Sequence, residues 1–424
     1  MSADDYSFGF EIDVFCFFFL DNATTPLAPE VVDYVTEALT NAWANPSSST
    51  DIGHKAKELI DQSREKIATM LNAEASEIIF VSGGTEANNM VLQTALKYFK
   101  SWAGKSHKES SYKPHIVTTN VEHDAILLPL KHFEEQQLAV VDYVPVSTSC
   151  GQVLVDEIEK NITDNTCLVT VMLANNETGV IMHVADIFRK IRKLNEIREM
   201  EGLCKILLHT DAAQAIGKIT VDVKELGVDY LTVVGHKFYG PRIGALYIKD
   251  LGDANIPLYP MFFGGGQERR LRPGTENTPM IHGLGCAAEL VTRNLKIYQE
   301  NMLKMRHLLE QLLVVRIFNI VNVEEFGKNV IINCNAVTRL PNTCSVSFSK
   351  TAMTGGEILS RCPELMASTG AACHGTGKPS EILMASGVTF EDARSAVRLS
   401  VGRETTSKQI ERTVSMLKSA VNLL

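Results

Sequence analysis

Positions 205–217 read KILLHTDAAQAIG, and positions 230–237 read YLTVVGHK. In both stretches a short apolar run of β-type residues ends in polar and charged side chains, with Asp211 in the first and Lys237 in the second. In open α/β sheets, ligands bind outside the carboxyl ends of the strands. The two stretches therefore predict strands of such a sheet, with a ligand site where they end.

Short β-rich runs alternate with amphipathic helical segments between about 78 and 249. Strands are predicted at 78–81, 115–119, 168–173, 205–209, 230–234 and 244–248. Such alternation is typical of an α/β domain with a mostly parallel sheet. Four of these strands are followed by groups suited to one charged, planar ligand, which read SGGT at 82–85, NNE at 175–177, HTD at 209–211 and GHK at 235–237.

The segments outside this core predict a second domain. Helices are predicted at 29–42, 55–71, 281–313 and 407–424, and strands at 14–20 and 343–348. The long helix from 281 would carry the chain out of the core. We therefore expect an N-terminal segment at 1–20 packed on the small domain, a large domain at 21–295, and a smaller C-terminal α/β domain at 296–424. The polar stretch 101–114 is interpreted as a surface insertion.

The composition limits the class of protein. The 424 residues include 41 basic and 50 acidic side chains, a net charge of -9, which gives no reason to expect binding to nucleic acid or to an anionic membrane. The nine cysteines are odd in number and widely spread, which argues against a disulfide framework and a structural zinc site. The apolar run at 14–20 is shorter than the roughly 20 residues of a membrane helix. We expect a soluble protein of the cytosol.

Lys237 and Asp211 end neighbouring strand candidates, and together they suit pyridoxal 5′-phosphate. A desolvated lysine amine is a nucleophile that can bind the cofactor aldehyde. A carboxylate keeps the pyridine nitrogen protonated, so that the ring accepts electrons from the substrate α-carbon. Each residue alone has a simpler interpretation, Lys237 as a surface lysine at a strand end and Asp211 as a helix cap.

Three further features are candidates for chemistry, each with a structural alternative. Positions 83–86 read GGTE, where backbone amides at a helix start could bind an anion or could simply form a turn. His123 could stack on the cofactor ring and move protons, or it could be a structural histidine. Cys373 lies in STGAACHGTG at 368–377, a small-residue stretch that predicts a mobile loop. It is either a reactive thiol or an incidental surface cysteine.

The sequence resembles the class V aminotransferase family, in its branch of cysteine desulfurases and selenocysteine lyases. The resemblance runs over nearly the whole chain, through NATTP at 22–26, LANNETG at 173–179, the segments 209–217, 235–247 and 264–279, and RLSVGR at 398–403. It implies fold type I of the pyridoxal-phosphate-dependent transferases and a homodimer with its active site at the subunit interface. It also implies removal of selenium from L-selenocysteine, leaving L-alanine.

The resemblance assigns a role to each matching position. These are Lys237 for covalent attachment of the cofactor, Asp211 for the pyridine nitrogen, Gln214 for the ring hydroxyl, His123 for stacking, Thr85, Gly84 and His236 for the phosphate, Thr275 for the phosphate from the other subunit, Asn176 beside the cofactor and substrate, Arg398 for the substrate carboxylate, and Cys373 as the nucleophile that takes the chalcogen.

Three positions depart from the family pattern. Val234 stands where desulfurases often place a phosphate-binding serine. The segment FLDNA at 19–23 is one residue shorter than the usual form, which has a tyrosine after the aspartate. Asp124 follows His123, where desulfurases commonly carry lysine. A carboxylate there would disfavour a developing thiolate nearby. A selenol is more acidic and would be affected less. We therefore expect a preference for selenocysteine over cysteine.

Other functions stay open at this point. One is a cysteine desulfurase that feeds iron–sulfur assembly. A non-catalytic sulfur or selenium carrier would be expected to lack Lys237 or Cys373, and both are present. A metal-binding protein with scattered cysteines and histidines is not supported by their spacing. By family analogy alone, a selenophosphate synthetase is the expected acceptor of the selenium.

Overall fold

The computed structural model describes residues 18–105, 112–316, 330–349, 351–370 and 378–422. Its strands are β1 Phe18–Phe19, β2 Ile78–Val81, β3 His115–Thr119, β4 Val140–Val144, β5 Thr166–Thr170, β6 Leu207–Asp211, β7 Tyr230–Val234, β8 Gly244–Ile248, β9 Val330–Ile332, β10 Thr343–Phe348, β11 Leu365–Met366 and β12 Val397–Ser400. Its helices are α1 Pro29–Asn41, α2 Asp51–Leu71, α3 Gly84–Lys105, α4 Asp124–Glu135, α5 Val155–Lys160, α6 Val184–Met200, α7 Val223–Leu226, α8 Thr278–Arg316, α9 Gly355–Ser360, α10 Glu381–Ala385, α11 Phe390–Arg394 and α12 Ser407–Asn422.

A seven-stranded sheet forms the centre of the described structure, in the order β2-β8-β7-β6-β5-β3-β4. The strands from β7 to β4 are parallel to their neighbours, whereas β8 is antiparallel to both β2 and β7. The strands β5 to β8 are buried along their whole length. Strands covered on both faces carry nearly continuous apolar runs, which explains their sequence pattern. The predicted α/β fold with a mostly parallel sheet is confirmed.

Helices cover both faces of this sheet. Successive side chains of a strand point to opposite faces, and this separates two apolar cores. Leu208 and Leu231 lie in one core with α2, α6 and the first part of α8. Leu207 and Tyr230 lie in the other core with α3 and α4. Because apolar side chains fill both faces, the polar site has to lie at the ends of the strands.

A further apolar core surrounds a three-stranded antiparallel sheet in the order β12-β10-β9. The helix α12 and the last part of α8 pack there, and Leu20 is buried in the same core. Just before Leu20, β1 pairs in parallel with β11. The helix α8 contributes Val291 to the sheet core and Met302 to this one, so the chain passes between the cores within one helix. The boundary predicted at 295 falls between these two residues and stays a prediction.

Some element bounds differ from those expected from the sequence. β5 ends three residues earlier than predicted and β6 lies two residues later, so that Asp211 is inside the ladder. Beyond β5 the chain stays beside β6, because the N–H groups of Val171 and Leu173 donate to the carbonyls of His209 and Asp211 over 3.1 and 2.9 Å. The edge strand β4 was not predicted. Part of it is exposed, and the charged Asp142 interrupts its apolar run.

Two segments reach into parts of the chain that the structure does not describe. The predicted strand at 14–20 is described from residue 18 onward. The predicted insertion at 101–114 begins as the end of α3, and its residues 106–111 lie outside the described ranges. Within those ranges, no helix combines the length and the apolar composition that a membrane span requires.

Candidate active site

The carboxyl ends of β6 and β7 bring Asp211 and Lys237 to one edge of the sheet. Asp211 is the last residue of β6, and its backbone lies opposite Thr232 of β7. Lys237 follows β7 at the end of the short 3₁₀ turn Gly235–Lys237. Because β6 and β7 are parallel, both side chains belong to the edge at which ligands bind in this class of sheet.

Asp211 is a buried carboxylate with two hydrogen-bond donors. Asn88 Nδ2 donates to its Oδ2 over 2.8 Å, and the backbone N–H of Ala213 donates to its Oδ1 over 2.9 Å. A buried carboxylate is unfavourable unless such donors replace the lost water. The two bonds orient the carboxylate, and each oxygen retains capacity to accept one more hydrogen bond.

Asn88 belongs to a chain of buried hydrogen bonds that ends at Asp211. Because the Asn88 amide nitrogen donates to Asp211, its Oδ1 accepts, from Thr232 Oγ1 at 2.6 Å. Thr232 Oγ1 lies 3.1 Å from His209 Nε2, and Thr170 Oγ1 lies 2.8 Å from His209 Nδ1. Burial lowers the pKa of His209 to about 4, so the ring is neutral. The Thr232 hydroxyl donates to Asn88, so His209 donates from Nε2 and accepts at Nδ1, and every bond of the chain points toward Asp211.

A buried lysine, Lys218, lies beside the half-buried Lys237, and the sequence had not singled it out. Lys237 Nζ donates to Thr24 Oγ1 over 3.1 Å, and Lys218 Nζ donates to the Lys237 carbonyl over 3.1 Å. The Lys218 residue is only 2% exposed. Burial, followed by repulsion from Lys237 and Arg398, lowers the pKa of Lys218 to about 7. Several basic groups therefore meet here, which favours a ligand with negative charge.

The segment that follows β1 closes over the same place. Gln214 Nε2 donates to the Ala23 carbonyl over 3.3 Å, and the N–H of Thr25 donates to the His236 carbonyl over 3.0 Å. Burial, with nearby positive charges of which Lys237 is the largest, lowers the pKa of His236 to about 4. His236 is therefore neutral here. The contacts place Gln214, His236 and Lys237 under one stretch of backbone.

The start of α3 is where the sequence predicts an anion site. The helix begins at Gly84, and Thr85 is exposed in its first turn. A Cβ at position 84 would lie 2.6 Å from Val234 Cγ2, so glycine is needed for the helix to approach β7 this closely. The first N–H groups of a helix lack partners within it and favour an anion. Val234, which lies against this glycine, offers no hydroxyl to an anion here.

Arg398 lies in β12, and its side chain is 10% exposed. Its Nη1 donates to the Asn176 carbonyl over 2.8 Å, and its Nη2 donates to Asp21 Oδ1 over 2.9 Å. Arg398 Nε and Asn176 Oδ1 are both buried and have no hydrogen-bond partner among the described residues. Buried polar atoms without partners are rare and point to a missing ligand. An arginine with an open Nε suits a carboxylate.

His123 is the N-cap residue of α4. Its Nδ1 accepts the N–H of Ala125 at 3.0 Å, and the residue is exposed. Asp124 is the first residue of the helix, where a carboxylate interacts favourably with the helix dipole. The preceding Glu122 is buried and was not predicted as a site residue. Burial raises the pKa of Glu122 to about 8, and Asp211 adds to this shift, so Glu122 is mostly protonated at neutral pH.

Thr275 lies on a loop and is exposed. The base of this loop is fixed by Glu268, whose carboxylate accepts from Arg64 over 2.7 and 2.8 Å and from the N–H of Phe80 over 2.8 Å. Glu268 and the two residues after it have φ values of 43°, 57° and 66°. Three successive left-handed residues make a sharp turn in the backbone at the base of the loop.

Cys373 and the residues 371–377 around it lie outside the described ranges. The described chain before them ends at Gly370, which has a φ of 83°. A Cβ on Gly370 would lie 2.8 Å from Glu177 Oε2. Just beyond the undescribed residues, Ser380 Oγ donates to the same carboxylate. Both sides of the predicted cysteine loop are thus close to Glu177, which follows the predicted substrate-binding asparagine in sequence.

Sequence reasoning missed several polar residues of this site, namely Asp21, Thr24, Asn88, Glu122, His209 and Lys218. His209 and Lys218 stand in or next to the stretch 205–217, but only the packing reveals that they are buried. Asn88 lies four residues after Gly84, which places it on the same side of α3 as the helix start. That spacing is a signal that the sequence did contain.

The residues present fit pyridoxal 5′-phosphate. Asp211 offers a buried carboxylate with open acceptor capacity, Lys237 offers an amine, and the start of α3 offers N–H donors to a phosphate. Among the described residues, no group of three or more His, Cys, Asp or Glu side chains could hold a metal ion.

Comparisons with known proteins identify the family of the chain. The sequence profile of the family Aminotransferase class-V matches residues 17–413. A selenocysteine lyase of Rattus norvegicus is 50% identical over 414 residues, which cover 95% of this chain and 94% of that protein. A cysteine desulfurase of Nostoc sp. is 36% identical over 408 residues, which cover 95% and 92%. The solved structure of a NifS-like protein has a TM-score of 0.81 and 31% identity, covering 96% of this chain and 99% of that one. The chain therefore belongs to the class-V aminotransferase family.

Proposed function

We propose that the chain is a pyridoxal-phosphate-dependent selenocysteine lyase, which releases selenium from L-selenocysteine and leaves L-alanine. The observation that carries the proposal is the shared strand edge of Asp211 and Lys237, with the open Nε of Arg398. The identity of 50% with a selenocysteine lyase, against 36% with a cysteine desulfurase, supports selenium as the element released.

In this proposal the cofactor is held by residues of both subunits of a homodimer. When bound, pyridoxal 5′-phosphate supplies an electron sink that stabilises negative charge on the substrate α-carbon. The residues proposed to hold it are Lys237 by a covalent bond, Asp211 at the ring nitrogen, Gln214 at the ring hydroxyl, Asn176 and the stacking His123 at the ring, Gly84, Thr85 and His236 at the phosphate, and Thr275 of the partner subunit at the phosphate.

The chain's own groups would bind the substrate and move its protons. Arg398 binds the substrate carboxylate and so orients the α-carbon–hydrogen bond. Lys237 Nζ accepts the α-proton, and Thr24 Oγ1 orients that amine from 3.1 Å. The Cys373 sulfur would attack the selenium atom and form an S–Se bond as the Cβ–Se bond breaks. The electron pair of the broken bond stays with the carbon skeleton, and a proton delivered to the β-carbon completes L-alanine.

Asp124 is the proposed cause of a preference for selenium. A carboxylate next to the stacking His123 disfavours a developing thiolate, whereas a selenol ionises more readily and needs less help. Asp124→Lys should shift the ratio of kcat/KM for L-cysteine to that for L-selenocysteine about fivefold toward cysteine, the scale of one partly screened charge. An unchanged ratio would reduce Asp124 to a favourable first residue of α4.

The homodimer, the cytosolic location and a selenophosphate synthetase as selenium acceptor belong to the same proposal. The exposure of Thr275, which would contact the cofactor of the other subunit, supports the homodimer. Phe262 and Phe263 at the start of this loop are 51% and 86% exposed, and exposed aromatic side chains of this size are typical of a protein interface.

Visible absorption of the purified protein tests the proposed function. A band that borohydride abolishes would support covalent cofactor attachment, and Lys237→Ala should lack the band and turnover. Lys131→Ala, at an exposed lysine of α4, is the matched control and should keep both. Selenide and sulfide release from equal concentrations of L-selenocysteine and L-cysteine then identifies the element. Equal turnover of both substrates would favour a cysteine desulfurase.

A further inference from the structure

The guanidinium of Arg398 has an anionic partner within the chain. Asp21 Oδ1 lies 2.9 Å from Arg398 Nη2, and this pair is separated by 377 residues in sequence. Arg398 Nη1 is bound to a backbone carbonyl, while Nε has no partner in the described part of the chain. The donors that a substrate carboxylate would use are thus Nε, which is open, and Nη2, which is shared with Asp21.

We infer that Asp21 is an internal competitor of the substrate carboxylate, which leaves Arg398 when an amino acid binds. The inference rests on the proposed function, in which Arg398 binds that carboxylate. A bidentate carboxylate needs two neighbouring guanidinium donors. The open donor is Nε, and the neighbouring nitrogen on the same edge of the guanidinium is Nη2, so a bidentate carboxylate on that edge shares Nη2 with Asp21.

The two members of the pair differ in burial, and this decides which one moves. The Asp21 side chain is 35% exposed, whereas that of Arg398 is 10% exposed. Asp21 can therefore turn into water with little loss of solvation, while a guanidinium left without an anion in a buried site is strongly disfavoured. Exchange of one carboxylate for another keeps Arg398 paired at every stage.

The backbone of Asp21 is held firmly beside β12. Ser400 N–H donates to the Leu20 carbonyl over 2.7 Å, and Asn22 N–H donates to the Ser400 carbonyl over 3.1 Å. Asp21 itself forms a parallel bridge with Ser400, two residues beyond Arg398. Release of the carboxylate consequently requires only rotation of the side chain. The shortened segment FLDNA at 19–23 thereby acquires a role, since it fixes the aspartate at this point of the strand.

An internal competitor weakens the binding of substrate and of product alike. L-Selenocysteine and L-alanine carry the same carboxylate, so Asp21 raises the dissociation constants of both by a similar factor. An amine without a carboxylate does not contact Arg398 and leaves the pair intact. Asp21 therefore lowers the affinity of the site for every ligand with an α-carboxylate, and it speeds the dissociation of L-alanine.

Ligand titrations of the cofactor-loaded protein, followed by the visible spectrum, test this inference. The ligands are L-alanine and ethylamine, which is L-alanine without its carboxylate. Asp21→Asn should tighten L-alanine binding about fivefold, which corresponds to ~1 kcal/mol, and should leave ethylamine unchanged. Asp21→Ala should behave in the same way. Glu404→Gln, which removes the 77% exposed carboxylate beside Arg403, is the control and should change neither ligand.

The outcomes separate this inference from the proposed function. Unchanged or weaker L-alanine binding in both Asp21 variants would overturn the inference and make Asp21 an orienting support of Arg398. An equal change for L-alanine and ethylamine would also overturn it, because the effect would then not concern the carboxylate. Selenide release by the unaltered protein tests the lyase function separately, and its absence would leave the alanine–ethylamine comparison readable.

Discussion

Lys218 gives a stability prediction with a defined sign. Burial, followed by repulsion from Lys237 and Arg398, places the pKa of Lys218 at about 7 in the folded protein, against 10.5 for an ordinary lysine. Methionine has nearly the same length as lysine and no titrating amine. We expect Lys218→Met to be more stable than the unaltered protein at neutral pH.

The magnitude follows from the two pKa values. Between about pH 7 and pH 10.5 the folded protein binds fewer protons at Lys218 than the unfolded chain does, so the free energy of unfolding rises with pH in that window. One pKa unit corresponds to ~1.4 kcal/mol, which gives a destabilisation of ~4–5 kcal/mol below pH 7. Roughly 2 kcal/mol of it disappears between pH 7 and pH 9. Loss of the hydrogen bond to the Lys237 carbonyl offsets ~1 kcal/mol of the gain in the variant.

Urea unfolding of the cofactor-loaded protein, followed by circular dichroism at pH 7 and pH 9, measures both effects. The free energy of unfolding of Lys218→Met should exceed that of the unaltered protein by roughly 3 kcal/mol at pH 7, and this difference should shrink by roughly 2 kcal/mol at pH 9. Lys131→Met, at an exposed position of α4, should show neither effect. A difference that is the same at both pH values would refute the description of Lys218 as a buried amine that is partly neutral at pH 7.

Three further predictions concern contacts around the site. Asn88→Asp replaces the amide that donates to Asp211 by a carboxylate, and the repulsion between the two carboxylates should weaken cofactor binding at least tenfold. An unchanged dissociation constant for pyridoxal 5′-phosphate in a fluorescence titration would contradict this. Glu268→Gln leaves the buried guanidinium of Arg64 without its anion and should lower the free energy of unfolding in urea by ~3 kcal/mol. A loss below ~1 kcal/mol would mean that water compensates for the lost carboxylate. Gly370→Ala places a Cβ within 2.8 Å of Glu177 Oε2 at a φ of 83°, so the melting temperature should fall by an amount equivalent to ~1–3 kcal/mol. An unaltered melting temperature would show that the Glu177 side chain moves aside.

The sequence predicted the sheet well because its central strands are buried on both faces. β2, β3, β7 and β8 have the predicted bounds, since an apolar run between turn residues defines a buried strand by itself. The partly exposed edge strand β4 lacks such a run and was missed. The end of β6 was placed two residues early, because polar His209 reads as the end of a strand, although its ring is buried and bonded to Thr170 and Thr232.

Candidates for the site could be proposed from the sequence where a residue stands at the end of a predicted strand. Asp211 and Lys237 were proposed in this way, and the family resemblance supplied Gln214, Arg398 and the other candidates. The residues that the sequence did not reveal owe their properties to burial in the folded chain. Glu122 and Lys218 look like ordinary charged side chains in the sequence, and their pKa values shift only because the folded chain excludes water from them. Pairs such as Asp21 and Arg398 are too distant in sequence for any local pattern to join them.

The strap formed by β1 and the residues after it has a consequence for biosynthesis. Asn22 Nδ2 donates to the carbonyl of Ser400, 378 residues later in the chain, and β1 has no partner strand until β11 has been made. At ~5–20 residues per second, translation of that interval takes about 20–80 s. During this time the apolar residues Phe18, Phe19 and Leu20 lack the core in which Leu20 is later buried. The contacts that hold residues 18–22 are therefore among the last of the chain to form, and slow translation prolongs the exposure of β1.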